Sequence, residues 1–127
     1  MDSRIPLEDA PMLHPEDDDH VLSITTTVPD RDTGLALARG AVECRLAACA
    51  QLDDAAIVSV YRWQGRLCEE REHRLTFKTV PAREAGLREW VLARRPYEVP
   101  QWLVVRMQAS TAYAGWVRAE TVDDPAP

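Results

Sequence analysis

The amino-acid sequence predicts an α+β fold whose strands and helices follow the order β-α-β-β-α-β, with a short helix at the C-terminus. Three observations predict it. Short runs rich in β-branched and apolar residues mark four strands. Two segments between them repeat apolar residues at helical spacing. A glycine-containing turn joins the two middle strands as a hairpin. We therefore expect one antiparallel sheet with two helices on one face, which is the ferredoxin-like arrangement.

The length and composition of the chain indicate one globular domain between two acidic tails. The 127 residues are 46% hydrophobic and 28% charged, which is enough apolar material for one core. Residues 1–20 hold seven acidic residues and one arginine, and three prolines fall within residues 1–19. We predict a disordered acidic tail over residues 1–19, a folded domain over 20–120 and a flexible tail over 121–127.

The distribution of charge excludes two classes of partner. The net charge of −6 arises at the ends of the chain, because residues 21–120 carry 14 basic and 12 acidic residues. Such a composition does not indicate a basic face for nucleic acid. No apolar stretch is long enough to span a membrane, and the acidic N-terminus lacks the pattern of a signal peptide. Three cysteines without C-x-x-C spacing suit a reducing compartment, so we expect a cytoplasmic protein that binds neither nucleic acid nor membrane.

The first strand leads directly into the first helix. Residues 21–27 are rich in β-branched side chains, and the strand is predicted to stop before Pro29. Asp30 or Asp32 can cap the helix that follows, which we predict to run to about Leu46. Its expected buried stripe, at helical spacing, consists of Leu35, Ala38, Val42 and Leu46.

Two long strands form the predicted hairpin. Residues 57–63 and about 67–80 are strongly strand-like, and the turn between them contains Gly65, which supplies the backbone freedom that a tight turn needs. The predicted order of elements places no helix or strand in residues 49–54, between the first helix and this hairpin. Both arms are long for so small a sheet, and with Tyr61 and Trp63 on an open face they indicate burial against other subunits.

The second half of the domain repeats the order of helix and strand. Pro81 suits the first turn of a helix that ends before Pro96. Its apolar stripe consists of Leu87, Trp90 and Val91. Residues 101–108 alternate as a fourth strand does, and Thr111 can cap a short final helix. The apolar face of that helix consists of Tyr113, Trp116 and Val117.

Six segments occur in an order and spacing that is typical of one protein family. They are Thr27-Val28-Pro29-Asp30, Glu43-Cys44-Arg45-Leu46-Ala47-Ala48-Cys49, Ser59-Val60-Tyr61-Arg62-Trp63-Gln64-Gly65, Glu70-Arg71-Glu72 with Lys78-Thr79, Pro96-Tyr97-Glu98-Val99-Pro100, and Tyr113-x-x-Trp116. Together they cover about residues 21–119 and resemble the CutA family, the divalent-cation tolerance proteins. The resemblance implies a ferredoxin-like homotrimer, similar to the nitrogen-regulatory PII proteins, in which long hairpins cross between neighbouring subunits.

The resemblance also implies a role in copper tolerance, with proposed metal ligands at three positions. In this sequence those positions hold Thr26, Arg95 and Gln101. Threonine and glutamine are weak neutral donors, and arginine has no lone pair to give, so these residues cannot form a copper site. We therefore expect no required cofactor.

A second set of residues could hold a divalent cation instead. Cys68, Glu70 and Glu72 alternate along one strand and so share one face of the sheet. A thiolate with two carboxylates suits zinc or copper, above all if three copies meet around a trimer axis. Ion pairs between these glutamates and arginines of other subunits are the simpler alternative.

Binding of a small ligand or ion in clefts between subunits is the leading functional hypothesis. Polar-tipped or charged residues of the matched segments lie near strand ends, where such groups orient a ligand. These candidates are Tyr61, Trp63, Lys78, Arg95, Tyr97 and Glu98. Small anions and nucleotides are the first ligands to test. Packing in a trimer interface would equally explain the aromatic residues, and Lys78 could pair with Glu98.

The other hypotheses are a ligand-free structural or adaptor trimer and a PII-like signalling protein. An enzyme is not expected, because the sequence has no Ser-His-Asp order, no His-Glu-x-x-His motif and no glycine-rich phosphate loop. An RNA-recognition motif is not expected either, because residues 74–78 lack the glycines and paired aromatics of its signature.

Overall fold

The computed structural model describes residues 19–95 and 98–123 and confirms the predicted α+β class. Its elements, in chain order, are β1 (His20–Val28), α1 (Arg31–Glu43), β2 (Cys49–Leu52), β3 (Ile57–Trp63), β4 (Arg66–Thr79), α2 (Pro81–Leu92), β5 (Leu103–Gln108) and α3 (Thr111–Glu120). Most of the two predicted tails, residues 1–18 and 124–127, lies outside the described residues. No helix within the described ranges is long and apolar enough to cross a membrane.

All five strands join one antiparallel sheet, in which β4 is the longest strand. The order across the sheet is β2-β4-β1-β5, and β3 pairs with β4 beyond the end of β2. The C-terminal half of β4 pairs with β1 on one side and with β2 on the other. Its N-terminal half pairs with β3, from Ile57 opposite Glu72 to Trp63 opposite Arg66. The β3–β4 hairpin therefore extends beyond the part of the sheet that β1 and β2 complete.

The turn of this hairpin is the one that the sequence predicted, and it is two residues long. Gln64 and Gly65 both have positive φ angles, 52° and 78°, which match the twist of the strands on either side. Glycine adopts such angles without steric cost. β4 begins immediately afterwards, at Arg66, rather than at the predicted residue 67.

Residues 49–52 form a strand, β2, which the predicted order of elements does not contain. The strand has only four residues, too few for alternation to stand out in the sequence. It forms because β4 continues past the end of β3 and offers an edge with which Cys49 to Leu52 can pair. Ala50 and Leu52 also pack against the core, which stabilises the short pairing.

The main hydrophobic core lies between one face of the sheet and the helices α1 and α2. The sheet contributes alternate residues of β1 and β4, and the helices contribute one stripe each. Its fully buried members include Ile24, Val28, Ala41, Leu75, Phe77, Leu87 and Val91. On the opposite face, α3 packs Ala114 and Val117 against Val21 and Ala48. The predicted placement of two helices on one face is confirmed, and α3 covers part of the other face.

The buried side of α1 differs from the predicted stripe. Its buried residues are Gly34, Leu37, Ala38 and Ala41. Val42, which we expected to be buried, is 40% exposed, and Leu35 is only half-buried. Three of the four buried residues are small, and they let the helix backbone approach the sheet closely. The buried side of the helix therefore consists mainly of small side chains, with Leu37 as its one large member.

Capping side chains decide where two helices begin. Asp30 Oδ1 accepts a hydrogen bond of 2.8 Å from the Thr33 N–H, so Asp30 and not Asp32 caps α1. This bond holds the pKa of the Asp30 carboxyl below its ordinary value. Ser110 caps α3 in place of the predicted Thr111, whose hydroxyl donates to Asp19 instead.

The ends of the remaining elements follow from local backbone geometry. α1 ends at Glu43, before the predicted Leu46, because Arg45 takes a left-handed conformation with φ of 59°. α2 begins at Pro81 as predicted, and Leu87 and Val91 of its expected stripe are fully buried.

The substitution Gly34→Ala is expected to destabilise the fold. An added Cβ would lie 2.9 Å from Val28 Cγ2 and 2.6 Å from Leu52 Cδ1, closer than van der Waals contact allows. Because Val28 is fully buried on a strand, we expect a loss of about 1–3 kcal/mol in the free energy of unfolding, measured by urea denaturation.

Gly115→Ala is the matched control for this substitution. Gly115 lies within α3, and its added Cβ would have no described neighbour closer than 3.7 Å. Since alanine favours helix more than glycine does, this change should leave the free energy of unfolding unchanged or raise it. Equal stabilities of Gly34→Ala and the wild type would contradict the close packing of α1 on the sheet.

Candidate functional site

A cleft of about 770 Å³ lies between the β3–β4 hairpin and the segment that precedes β5. We call it the acidic aromatic cleft, after five of the side chains that line it: Tyr61, Trp63, Glu70, Glu72 and Glu98. Its volume lies in the range of sites that hold small organic molecules. The structure thus brings together three of the sequence candidates, Tyr61, Trp63 and Glu98.

Strand alternation explains how the hairpin presents these side chains. Ser59, Tyr61 and Trp63 are spaced two residues apart on β3 and so share one face of the hairpin. On β4, Glu70 lies directly opposite Ser59, and Glu72 follows two residues further along the same face. The hairpin therefore supplies both aromatic rings and two of the three carboxylates of the cleft.

Two hydroxyl groups hold Glu72 in the cleft. Ser59 Oγ donates to Glu72 Oε2 at 2.6 Å, and Thr27 Oγ1 donates to Glu72 Oε1 at 3.3 Å. Both donors are neutral, so they orient the carboxylate without cancelling its charge. Ser59 and Thr27 are missing from the sequence candidates. Alternation from Tyr61 would have identified Ser59, whereas Thr27 meets the cleft only through the pairing of β1 with β4.

Tyr61 and Glu70 form a second hydrogen-bonded pair. The bond from the Tyr61 hydroxyl to the Glu70 carboxylate, together with desolvation of the phenol, raises the pKa of Tyr61 to about 12. The Tyr61 hydroxyl is therefore protonated at neutral pH. Tyr61 and Trp63 remain 37% and 39% exposed, so both side chains are accessible from the cleft.

The lining of the cleft is negatively charged. Among the described residues that line it are three glutamates but no lysine, arginine or histidine. Within residues 19–95 and 98–123, none of these glutamates forms an ion pair with a basic side chain. A cleft of one charge sign attracts the opposite charge and repels its own. The small anions and nucleotides considered from the sequence are therefore disfavoured.

The three positions of the family's proposed metal ligands meet in the fold as a hydrogen-bonded bridge. Arg95 Nη1 donates to Thr26 Oγ1, and the Thr26 hydroxyl donates at 2.6 Å to the backbone carbonyl of Gln101. Arg95 is only 7% exposed, so its permanent positive charge lies inside the bridge. A guanidinium repels a divalent cation, and none of the three side chains is a thiolate, imidazole or carboxylate. These residues do not fit a copper ion.

The second set of candidate metal ligands is engaged in other contacts. Cys68 Sγ lies 3.8 Å from the backbone carbonyl of Arg66, Glu70 accepts from Tyr61, and Glu72 accepts from two hydroxyl groups. In the part of the chain that the structure describes, no group of three or more His, Cys, Asp or Glu side chains could hold a metal ion. A single chain therefore offers no metal centre within those residues.

Two further sequence candidates were Lys78 and Tyr97. Lys78 lies on the other half of β4, where its Nζ donates to Gln51 Oε1 at 3.1 Å. It is not among the residues that line the cleft with Glu98. Tyr97 lies outside the described residues.

Comparison with known proteins gives consistent matches. A family model described as CutA1 divalent ion tolerance protein matches residues 22–120. The divalent-cation tolerance protein CutA of Thermus thermophilus is 34% identical over 99 residues, which are 77% of this chain and 95% of that protein. Its solved structure has a TM-score of 0.77 at 33% identity, covering 80% of this chain and 99% of that one. A structure of CutA from Synechococcus elongatus, complexed with a Bis-Tris molecule, has a TM-score of 0.73 at 33% identity, covering 80% and 94%.

Replacing Glu70 with glutamine is expected to lower the pKa of Tyr61 from about 12 towards its ordinary value of 10. The neutral amide no longer disfavours the phenolate, so Tyr61 ionises at lower pH. The measurement is phenolate absorbance during an alkaline titration, with the Tyr61→Phe titration subtracted to isolate this residue. Glu69→Gln, one position away on the opposite face of β4, is the control and should not shift the curve. An unshifted curve for Glu70→Gln would contradict the hydrogen bond.

Proposed function

Because the chain belongs to the CutA1 divalent ion tolerance protein family, we propose that it serves cation tolerance by binding a small ligand in the acidic aromatic cleft. The observation that carries this proposal is the cleft itself, in which one cavity of about 770 Å³ gathers two aromatic rings and three carboxylates. Convergent polar groups around a cavity of this size are typical of ligand sites. The matched relative is named as a tolerance protein, and we propose a binding protein rather than an enzyme.

The proposed ligand is not a copper ion at the bridge of Thr26, Arg95 and Gln101. A buried guanidinium already occupies that bridge, and its donors do not suit copper. The Bis-Tris complex of the cyanobacterial relative supports a role for small organic molecules, because it shows one bound to a protein of this family. In this proposal the protein contributes to tolerance through its ligand and not by coordinating the metal.

We also propose that the protein is a homotrimer whose clefts lie between subunits. β5 lies at an edge of the sheet, where unpaired backbone groups can pair with another chain. Large apolar side chains are exposed along β5 and on the hairpin: Val58, Val60, Leu67, Leu103, Val104, Val105 and Met107. A surface of this kind favours burial by neighbouring subunits. The family resemblance supplies the number of subunits.

A ligand-free structural or adaptor trimer, and a PII-like signalling protein, would use the same exposed surface. The composition of the cleft favours ligand binding over a purely structural role. The centres of protein interfaces are depleted of charged residues, whereas this cleft holds three glutamates without a basic partner in the described residues. Packing alone gives no reason to place them together.

We also propose that the protein is cytoplasmic. Cys44, Cys49 and Cys68 are all free in the structure. Free thiols persist in reducing compartments, which supports this location.

The cleft is expected to be required for cation tolerance in cells. In a copper-sensitive strain that lacks its own CutA protein, the wild-type chain should restore growth at raised copper. The Trp63→Ala variant should not, because it removes a wall of the cleft. Arg62→Ala is the matched control, since alternation puts Arg62 on the opposite face of β3. Circular dichroism checks that both variants fold. Full restoration by Trp63→Ala would contradict the proposed role of the cleft.

A charge on the open face of β5 is expected to break the trimer. Light scattering of the wild type should give three times the monomer mass of 14.3 kDa. Val105→Lys should give the monomer mass, because a lysine at this 55% exposed position would be buried without a partner in an interface. Val122→Lys, equally exposed but beyond α3, should remain trimeric. A monomeric wild type would refute the trimer.

A further inference from the structure

We propose that the ligand of the acidic aromatic cleft is a small organic cation that carries an ammonium group. This inference rests on the proposed function, because it assigns a chemical class to the ligand of the same cleft. Three properties of the cleft support it: its charge, the spacing of its carboxylates, and its aromatic rings. Each property disfavours a different class of ligand.

The charge of the cleft favours a positive ligand. Glu70, Glu72 and Glu98 supply three carboxylates, and the described lining residues include no basic side chain. The described groups that bond to Glu70 and Glu72 are neutral hydroxyls. An ionised carboxylate offers about four acceptor sites, so each glutamate keeps its negative charge and unused acceptor sites for a cationic ligand. An anionic or neutral ligand would cover these charges without compensating them.

The spacing of the carboxylates disfavours a bare metal ion. A divalent metal needs its protein ligands within about 2.0–2.6 Å of one point. Within residues 19–95 and 98–123, no three acidic, histidine or cysteine side chains are placed in that way. The cavity of about 770 Å³ has room for a molecule with a carbon skeleton. Such a molecule can reach carboxylates that lie too far apart to share one metal ion.

The aromatic rings favour an ammonium group over other polar groups. Tyr61 and Trp63 both line the cleft, and each remains more than one third exposed. An ammonium ion within about 6 Å of an aromatic ring is attracted to its face, and tryptophan binds it best. The carboxylates of the hairpin therefore complement the charge of an organic cation, and the aromatic rings complement its hydrocarbon surface as well as its charge. A simple acidic patch would lack the second interaction.

Choline and its neutral isostere, 3,3-dimethylbutan-1-ol, test this inference directly. The two probes have nearly the same shape, and only choline carries a positive charge. Each is titrated into the full-length protein by calorimetry in an amine-free buffer. We expect choline to bind about tenfold more tightly than the isostere, or better, because cation–π attraction and the carboxylates act on the charge alone.

Two variants and one control locate the binding in the cleft. Glu98→Gln removes one negative charge, and Trp63→Leu removes the aromatic face while keeping an apolar side chain. Each should weaken choline binding by about five- to tenfold. Glu69→Gln is the control, because Glu69 is exposed and alternates to the opposite face of β4 from Glu70. Its affinity for choline should equal that of the wild type.

The outcomes separate this inference from the proposed function. Equal affinities for choline and the isostere would overturn the organic-cation inference and leave the cleft as a ligand site. Choline affinity that Glu98→Gln and Trp63→Leu leave unchanged would also overturn it, because the cation would bind elsewhere. Absence of choline binding would overturn it as well. None of these results by itself contradicts the proposed function. That function is contradicted only if Trp63→Ala still restores copper tolerance in cells.

Discussion

The length of β4 is the constraint on which the rest of the structure depends. Its fourteen residues extend over roughly 46 Å, more than α1 and α2 can cover. The C-terminal half carries Leu75 and Phe77 into the core and pairs with a strand on each side. The N-terminal half pairs with β3 and extends away from the helices. One half of the strand thus supports the fold, and the other half supplies the walls of the cleft.

Near the pairing of β1 with β4, groups of opposite charge lie on the two faces of β1: the Arg95 guanidinium on one and the Glu72 carboxylate on the other. Thr26 and Thr27 are neighbours, so their side chains leave β1 on opposite faces. Thr26 accepts from the buried Arg95, whereas Thr27 donates to Glu72. A fixed cation therefore occupies the place where the family resemblance implies a metal, and the carboxylates face a different space. This separation is the physical reason why we propose a ligand in the cleft rather than a metal ion at the bridge.

The cleft and the exposed apolar surface belong to the same extended hairpin. Tyr61 and Trp63 line the cleft, while Val58 and Leu67 are exposed and do not line it. Alternation puts Val58 on the face of β3 opposite to the rings. In a trimer, a neighbour that covers the apolar face would hold the hairpin in place and with it the walls of the cleft. Assembly and ligand binding would then stabilise each other.

The sequence by itself determined the order of the helices and of every strand except β2, the hairpin with its turn at Gly65, and the absence of copper-binding side chains at Thr26, Arg95 and Gln101. These features depend on local periodicity, turn chemistry and residue type, which a sequence displays directly. Only the tertiary structure decided three others: the pairing of β2 with β4, the side of α1 that is buried, and the grouping of Glu98 with the hairpin while Lys78 lies apart. Each of these three depends on contacts between residues distant in the chain, and local patterns do not encode such contacts.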